Sequence, residues 1–353
     1  MKDLKYLIAY IGPISAWLGL YLGGWYSFGI TYIAFGIIPL LELITPIYIG
    51  NHPAEVEEAR SHNRFFDFIL YLHVPFLYAT LAYGFYLVKT DNLSNLETIG
   101  LIFNLGIMVG AFGINVGHEL GHRDTRFEQF LSKALLLPAL YQHFYIEHNR
   151  GHHKNVATDA DPASARLGEN LYAFWLRSVV FSYRNAWVLE KERLERLKIP
   201  TLSWQNEMLR FQVFQAVYLL VIGFVFGNPT PQGVLWTVFL AMAIAITGFL
   251  LLETVNYIEH YGLRRRKLPN GRYEPVQPHH SWNSDHAIGR IFLYELTRHS
   301  DHHYRASRKY QILRHFTESP QLPFGYPLSM VLSLVPPLWF SVMNRRVPPL
   351  SGT

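Results

Sequence analysis

Between Glu147 and His153 the chain reads Glu-His-Asn-Arg-Gly-His-His. Neutral imidazole suits iron, zinc, copper or nickel, so the cluster points to a metal without naming it. On an α-helix His148 and His152, four residues apart, would share a face, and His153 would be turned by roughly 100°. One helix with this spacing can therefore offer rings to two neighbouring ions.

The chain has 17 histidines, and most of the others with informative spacing fall in similar boxes. His118-Glu119-Leu120-Gly121-His122 puts two rings on one helical face. Alone it reads as a zinc protease motif with Glu119 as general base. His260 lies in Asn256-Tyr257-Ile258-Glu259-His260-Tyr261-Gly262, and His299, His302 and His303 recur at i, i+3 and i+4 in Arg298-His299-Ser300-Asp301-His302-His303. A further pair, His279 and His280, stands in Gln277-Pro278-His279-His280-Ser281-Trp282-Asn283. A zinc protease needs about three protein ligands and one open position. The boxes hold too many histidines for that, and enough for two metals. His52, His62, His143, His286 and His315 carry no such spacing, and His73, inside an apolar run, reads as a packed bundle residue.

The elements that must position these boxes are apolar. Half of the 353 residues are hydrophobic and 16% are charged, which is the composition of a membrane protein diluted by polar blocks. A span needs about 20 mainly apolar residues. Six stretches come close, at about 6–23, 29–49, 65–88, 99–116, 211–226 and 234–255, and the first has no small-residue cleavage site after it, so it reads as a retained span. Phe130–Tyr145 and Leu328–Met343 are apolar but contain Pro138 and Pro336-Pro337, and they read as buried or interfacial helices. With six spans the outward links hold only Lys89 as a basic residue, so the positive-inside rule puts the polar blocks 117–207 and 256–353 together on the cytoplasmic side. The expected fold is all-α, one polytopic membrane domain over 1–353 with a cytoplasmic helical cap carrying the histidines. No cysteine is present, which excludes thiolate catalysis, disulfides and cysteine-ligated clusters, and redox chemistry would draw electrons from another protein. The net charge of +5 comes with no basic run interleaved with aromatics, so no nucleic-acid partner is expected.

His-Glu-Leu-Gly-His at 118–122, Glu-His-Asn-Arg-Gly-His-His at 147–153, Asn-Tyr-Ile-Glu-His-Tyr-Gly at 256–262 and Leu-Thr-Arg-His-Ser-Asp-His-His at 296–303 resemble the integral-membrane alkane monooxygenases of the alkane 1-monooxygenase type. The resemblance extends to Phe324-Gly325-Tyr326-Pro327, and the third motif separates this group from the wider superfamily of histidine-box desaturases and hydroxylases. It implies two non-haem iron ions held by His118, His122, His148, His152, His153, His260, His299, His302 and His303, with His279 and His280 outside the ligand set. It also implies terminal hydroxylation of medium-chain linear alkanes with O₂. Electrons would come from rubredoxin, served by an NAD(P)H-dependent reductase, at the cytoplasmic side of a bacterial inner membrane.

Nine neutral imidazoles leave two divalent ions uncompensated, so nearby carboxylates should hold ring N–H groups and offset the charge. Glu119, Glu147, Glu259, Asp301, and Asp159 or Asp161 adjoin the boxes, and Asn256 is one turn before His260. Arg264, Arg265, Arg266 and Lys267 follow the third motif and can dock an acidic partner or lipid headgroups. Small residues Gly12, Gly19, Ala34, Gly36, Gly106, Gly110 and Gly113 either leave room for a substrate chain or pack helices closely. Alternatives in view are a membrane acyl-lipid desaturase or hydroxylase, a xylene-type methyl hydroxylase, and the zinc protease.

Overall fold

The computed structural model describes residues 2–349, so positions 1 and 350–353 of the expected domain lie outside the described residues. Among the described residues β pairing is limited to isolated bridges, Ile47 with His286, Lys267 with Tyr273 and Asn283 with Gln321. Among the described residues five helices are long and apolar enough to cross a membrane: Gly24–Ile44, Arg64–Thr90, Asn95–Gly121, Glu207–Phe226 and Pro231–His260. Phe224 and Leu235 on two of them are about 70% exposed, as side chains facing lipid would be.

The expected first span departs from a single long α-helix. It is a 3₁₀ segment, Lys2–Tyr10, followed by a short α-helix, Ile11–Leu22. The second ends at Ile44, five residues before its expected end, because Thr45 precedes Pro46 and takes extended angles, φ −93° and ψ 146°. The fourth and sixth run further than their apolar composition suggested, to Gly121 and His260, so His118 and His260 sit on continuous span helices. Phe130–Tyr145 is not a span: its helix is Arg126–Leu136. Leu328–Met343 divides into Tyr326–Ser333 and Pro336–Met343, where Pro336 starts a helix it could not continue.

The chain divides into two compact units. The first takes residues up to Gly36, Phe65–Ile146 and Ala186–Leu252. Its centre is the helix Asn95–Gly121, started by a reciprocal cap in which Glu97 N–H donates to Ser94 Oγ and Ser94 N–H donates back to the Glu97 carboxylate. Asn104 ties it to two neighbours, donating to Ala16 O at 2.9 Å and accepting from Ile30 N–H at 3.3 Å. In hydrocarbon such a side chain joins helices because no water competes for its bonds. The small residues serve the same packing. A Cβ at Gly106 would stand 2.5 Å from Thr247, one at Gly12 would overlap the Phe112 ring, and Gly19, Gly110 and Gly113 are likewise closed by neighbours, whereas Gly36 faces open space. His73 lies between the rings of Tyr10 and Phe112, at 4.7 and 5.4 Å, as a packed residue would.

The second unit takes Ile37–Arg64, Glu147–Asn185 and the chain from Glu253 onwards. It is built from short helices and loops held by buried charges. Arg298, 2% exposed, donates to the carbonyls of Leu313 and Gly50 at 2.7 and 3.0 Å and reaches Asp285 at 3.2 Å. That one guanidinium fixes the loop after the second span against the start of the last histidine box. Glu57, on the helix Ala54–Ser61, pairs with Arg308 and Arg314, and Arg314 N–H donates to Asp301 inside the box at 2.8 Å.

Candidate metal centre

In the first unit His118 and His122 stand on the last turns of Asn95–Gly121 and just beyond it, with Nε2 atoms 3.3 Å apart. Glu119 between them pairs with Arg123 at 2.7 Å, and Arg123 also faces Asp67 at 3.4 Å. A carboxylate held by a guanidinium is a poor acceptor for a water proton, which weighs against the protease reading.

In the second unit the box at 148–153 does not wind as an α-helix. His148–His152 is a π-helical turn, and the amide of His153 donates to the carbonyl of His148, five residues back. This winding overturns the expected pairing. His148 and His153 now come together, Nε2 to Nε2 at 3.0 Å, and His153 Nε2 meets that of His302 at 3.1 Å. His152 points elsewhere. Its Nε2 is 3.1 Å from that of His303, in a group of His152, His260, His299 and His303 whose ligand atoms all lie within 4.8 Å of one another. His299 Nε2 is 3.2 Å from His260 Nε2 and 2.9 Å from His303 Nε2. π-turns are rare and recur at functional sites, and here the extra residue per turn decides which rings converge.

The donor set fits metal ions. Donors at about 2.1 Å from one ion stand roughly 3 Å apart, as these nitrogens do. Burial, and then the neighbouring imidazoles, hold His302 and His303 well below the ordinary histidine pKa, so both rings are neutral and able to ligate at pH 7. A third group, Glu274, His279 and His280, is differently disposed. Gln277 N–H donates to His280 Nδ1 at 2.9 Å, which leaves the ring proton on Nε2, 3.2 Å from Glu274. That tautomer has no free nitrogen for a metal, and His280 here closes a turn.

The predicted carboxylates separate by geometry. Asp161 holds His152: its Oδ2 is 2.9 Å from Nδ1, Ser164 Oγ–H donates to the same oxygen at 2.5 Å, and Ala163 N–H donates to Oδ1. Burial opposes its ionised form, but His152 and Ser164 outweigh this and keep the carboxyl below its usual value. Asp159 is instead 78% exposed beside Arg264. Glu147 is buried and accepts from Asn185 at 3.1 Å; burial, then repulsion from Asp161, pushes it up to about 8. Asp301 faces Arg308 and Arg314 rather than a ring. Asn256 donates to Glu253 at 3.4 Å, and Glu259 Oε2 is 3.2 Å from His299 Nε2. Glu253 escaped the reading of the sequence. It is buried in the last span, accepts from Ser178 at 2.5 Å, and its signal was an ionisable residue inside an apolar run. Of the basic run, Arg265 is spent on the carbonyls of Glu274 and Lys154, and Arg266 pairs with Glu274.

Residues 97–331 match the fatty acid desaturase family. The chain is 40% identical to alkane 1-monooxygenase of Pseudomonas putida over 352 residues, covering 98% of this chain and 85% of that protein. It is 41% identical to alkane 1-monooxygenase 2 of Pseudomonas aeruginosa, covering 97% and 90%. A more distant relative at 28% identity is the xylene/toluene monooxygenase hydroxylase component XylM of Pseudomonas putida, covering 98% and 89%. Five apolar helices, converging imidazoles and these near full-length similarities agree, and the chain belongs to the alkane 1-monooxygenase group within the fatty acid desaturase family of integral membrane proteins.

Proposed function

We propose that this protein is a non-haem di-iron monooxygenase that hydroxylates the terminal methyl of medium-chain linear alkanes to primary alcohols. The balance is RH + O₂ + 2e⁻ + 2H⁺ → ROH + H₂O. Electrons come from rubredoxin, reduced by an NAD(P)H-dependent reductase. The reading rests above all on the convergence of histidine Nε2 atoms from separate boxes, and the names of the relatives supply the reaction.

The proposed ligands are His118, His122, His148, His152, His153, His260, His299, His302 and His303. Two irons bound there would supply reductive activation of O₂. The chain's own contribution is to hold neutral rings in place. Asp161 fixes the Nδ1–H tautomer of His152 so that Nε2 is free to ligate, and the carboxylates lower the net charge of the centre. The spans deliver an alkane from the hydrocarbon to the span ends where His118 and His260 lie. The site faces the cytoplasm of a bacterial inner membrane. Arg264, Arg266 and Lys267 serve an acidic donor or lipid headgroups; Arg265 is committed to its backbone partners.

The test is incubation of iron-loaded protein in membranes with octane, O₂, NADH, rubredoxin and its reductase. 1-Octanol is the expected product, with two irons per chain. Turnover of an acyl-CoA without 1-octanol would replace this reading by a desaturase or acyl hydroxylase. Preference for p-xylene would place the protein with the alkyl-aromatic hydroxylases.

A further inference from the structure

A helix standing in water turns its polar side out, and the helix Leu171–Arg196 does the reverse over its first part. That part, 171–185, belongs to the second unit. Its buried side carries Phe174, Ser178 and Ser182. Its outer side carries Tyr172, Val180 and Phe181, each 48–50% exposed, and Leu176, 75% exposed. Tyr172, Leu176 and Val180 follow one another at four-residue intervals, so they form one row along the helix. The next position in that row is Arg184. Its guanidinium lies 5.9 Å over the Phe181 ring and has no carboxylate partner among the described residues. An apolar face of this extent, ended by an unpaired cation, marks a surface that something covers.

The last span sets the level at which this face stands. Trp175 Nε1–H donates to Thr254 Oγ1 at 3.1 Å, Ser178 Oγ–H donates to Glu253, and the Phe174 ring meets that of Tyr257 at 5.4 Å. These partners lie on the helix Pro231–His260, where the apolar run stops at about 255 and the polar Asn256-Tyr257-Ile258-Glu259-His260 begins. The helix is thus moored where hydrocarbon gives way to headgroups. The C-terminal helices repeat the arrangement. Trp339 is buried against the rings of Tyr257 and Tyr261, 5.4 Å from each, while Leu334, Val335 and Leu338 are 42–53% exposed. Tyr172 O–H donates to the carbonyl of Leu334 at 2.7 Å and joins the two apolar faces. We propose that 171–185 and Pro336–Met343 form an interfacial platform whose apolar faces lie in the boundary between headgroups and acyl chains, with Arg184 holding the phosphate of an anionic phospholipid. The face fits a lipid surface better than a second copy of the chain. It continues from a span that is already in lipid, Tyr172 and Trp175 are the amphipathic aromatics of such a boundary, and the free cation ends the apolar row where phosphates begin. Such a platform requires the spans and not the hydroxylase chemistry, so it stands whatever the substrate.

The chain has no cysteine, so nitroxide labels can be attached singly at Leu176→Cys, Leu338→Cys and, as a water-facing control, the exposed Asn270→Cys. Full-length protein, one chain per nanodisc of phosphatidylethanolamine and phosphatidylglycerol, is examined by electron paramagnetic resonance power saturation with oxygen and with a water-soluble nickel chelate. The labels at 176 and 338 should be reached by oxygen and shielded from the chelate, at a depth of about 5–10 Å, while the control is open to it. In native mass spectrometry Arg184→Gln should weaken retention of phosphatidylglycerol about 5-fold, the worth of one basic residue at an anionic surface, and Arg184→Lys should stay close to the unsubstituted chain. Chelate access at both labels equal to that of the control overturns the platform. Shielding that appears only in discs holding two chains also overturns it, in favour of a contact between copies. Unchanged phosphatidylglycerol retention in Arg184→Gln overturns the headgroup assignment. Phe181→Cys and Val335→Cys take over as label positions, with the same criteria, if either first variant fails to fold.

Discussion

The boxes at 148–153 and 299–303 each hold three histidines, yet they are wound differently. The first is a π-turn and pairs His148 with His153, five residues apart. The second is an α-helix, His299–Tyr304, and pairs His299 with His303, four apart. Each box then sends its remaining ring the other way: His152 joins His303, and His302 joins His153. The result is an exchange in which each box contributes a pair to one group and a single ring to the other. Helical pitch, more than residue spacing, decides which rings converge. The boxes also differ in what holds them. A short hydrogen-bonded loop around Asp161 supports the π-turn, whereas an ion network from Glu57 supports the α-helix.

The sharpest way to break this comparison is to remove one ring from each destination. His148→Ala and His152→Ala should each lower alkane turnover to less than about one hundredth, beyond the 10- to 100-fold that loss of an outer partner costs. Metal analysis with Mössbauer spectra should show that they empty different ions. Loss of the same iron in both variants would end the division proposed for the π-turn.

Asp161→Asn probes the support of the π-turn alone. Retention of the iron served by His152 should weaken by about 10- to 100-fold in chelator competition, while the other iron is unaffected. Glu57→Gln probes the support of the α-helical box. It leaves Arg308 and Arg314 without their shared carboxylate, and differential scanning calorimetry should show the melting temperature lowered by roughly 3 °C per kcal/mol lost. Burial opposes ionisation of Glu57, but Arg314 and Arg308 outweigh it and lower its pKa. The stabilisation is therefore complete above the ordinary carboxylate range near pH 4.3 and disappears as pH falls through the lowered value, so Glu57→Gln and the unsubstituted protein should converge in acid. The smallest effect is expected of Ser164→Ala, which removes one donor to Asp161 and should weaken iron retention about fivefold or less in the same competition.

Much of this centre was legible before any fold was known. The nine histidines stand in boxes whose repetition no soluble core requires, and the apolar stretches around them exceed what a globular protein buries. Helix ends were less legible, because apolar composition marks hydrocarbon and not hydrogen bonding. The helices that carry His118 and His260 continue past their apolar runs, and Pro46 stops another early.

The sequence by itself determined the membrane-spanning all-α class, the family and the histidine boxes whose rings could hold metal, since these depend on residue type and order along one chain. Tertiary structure decided the rest. Which rings converge depends on a π-turn that shares its local spacing with an ordinary α-helix. Which carboxylate meets which nitrogen depends on contacts between residues far apart, such as Tyr326 with Glu259 and Arg314 with Glu57. Asp159 and Asp161 differ by two positions and not at all in chemistry; only the fold turns one to solvent and the other onto His152.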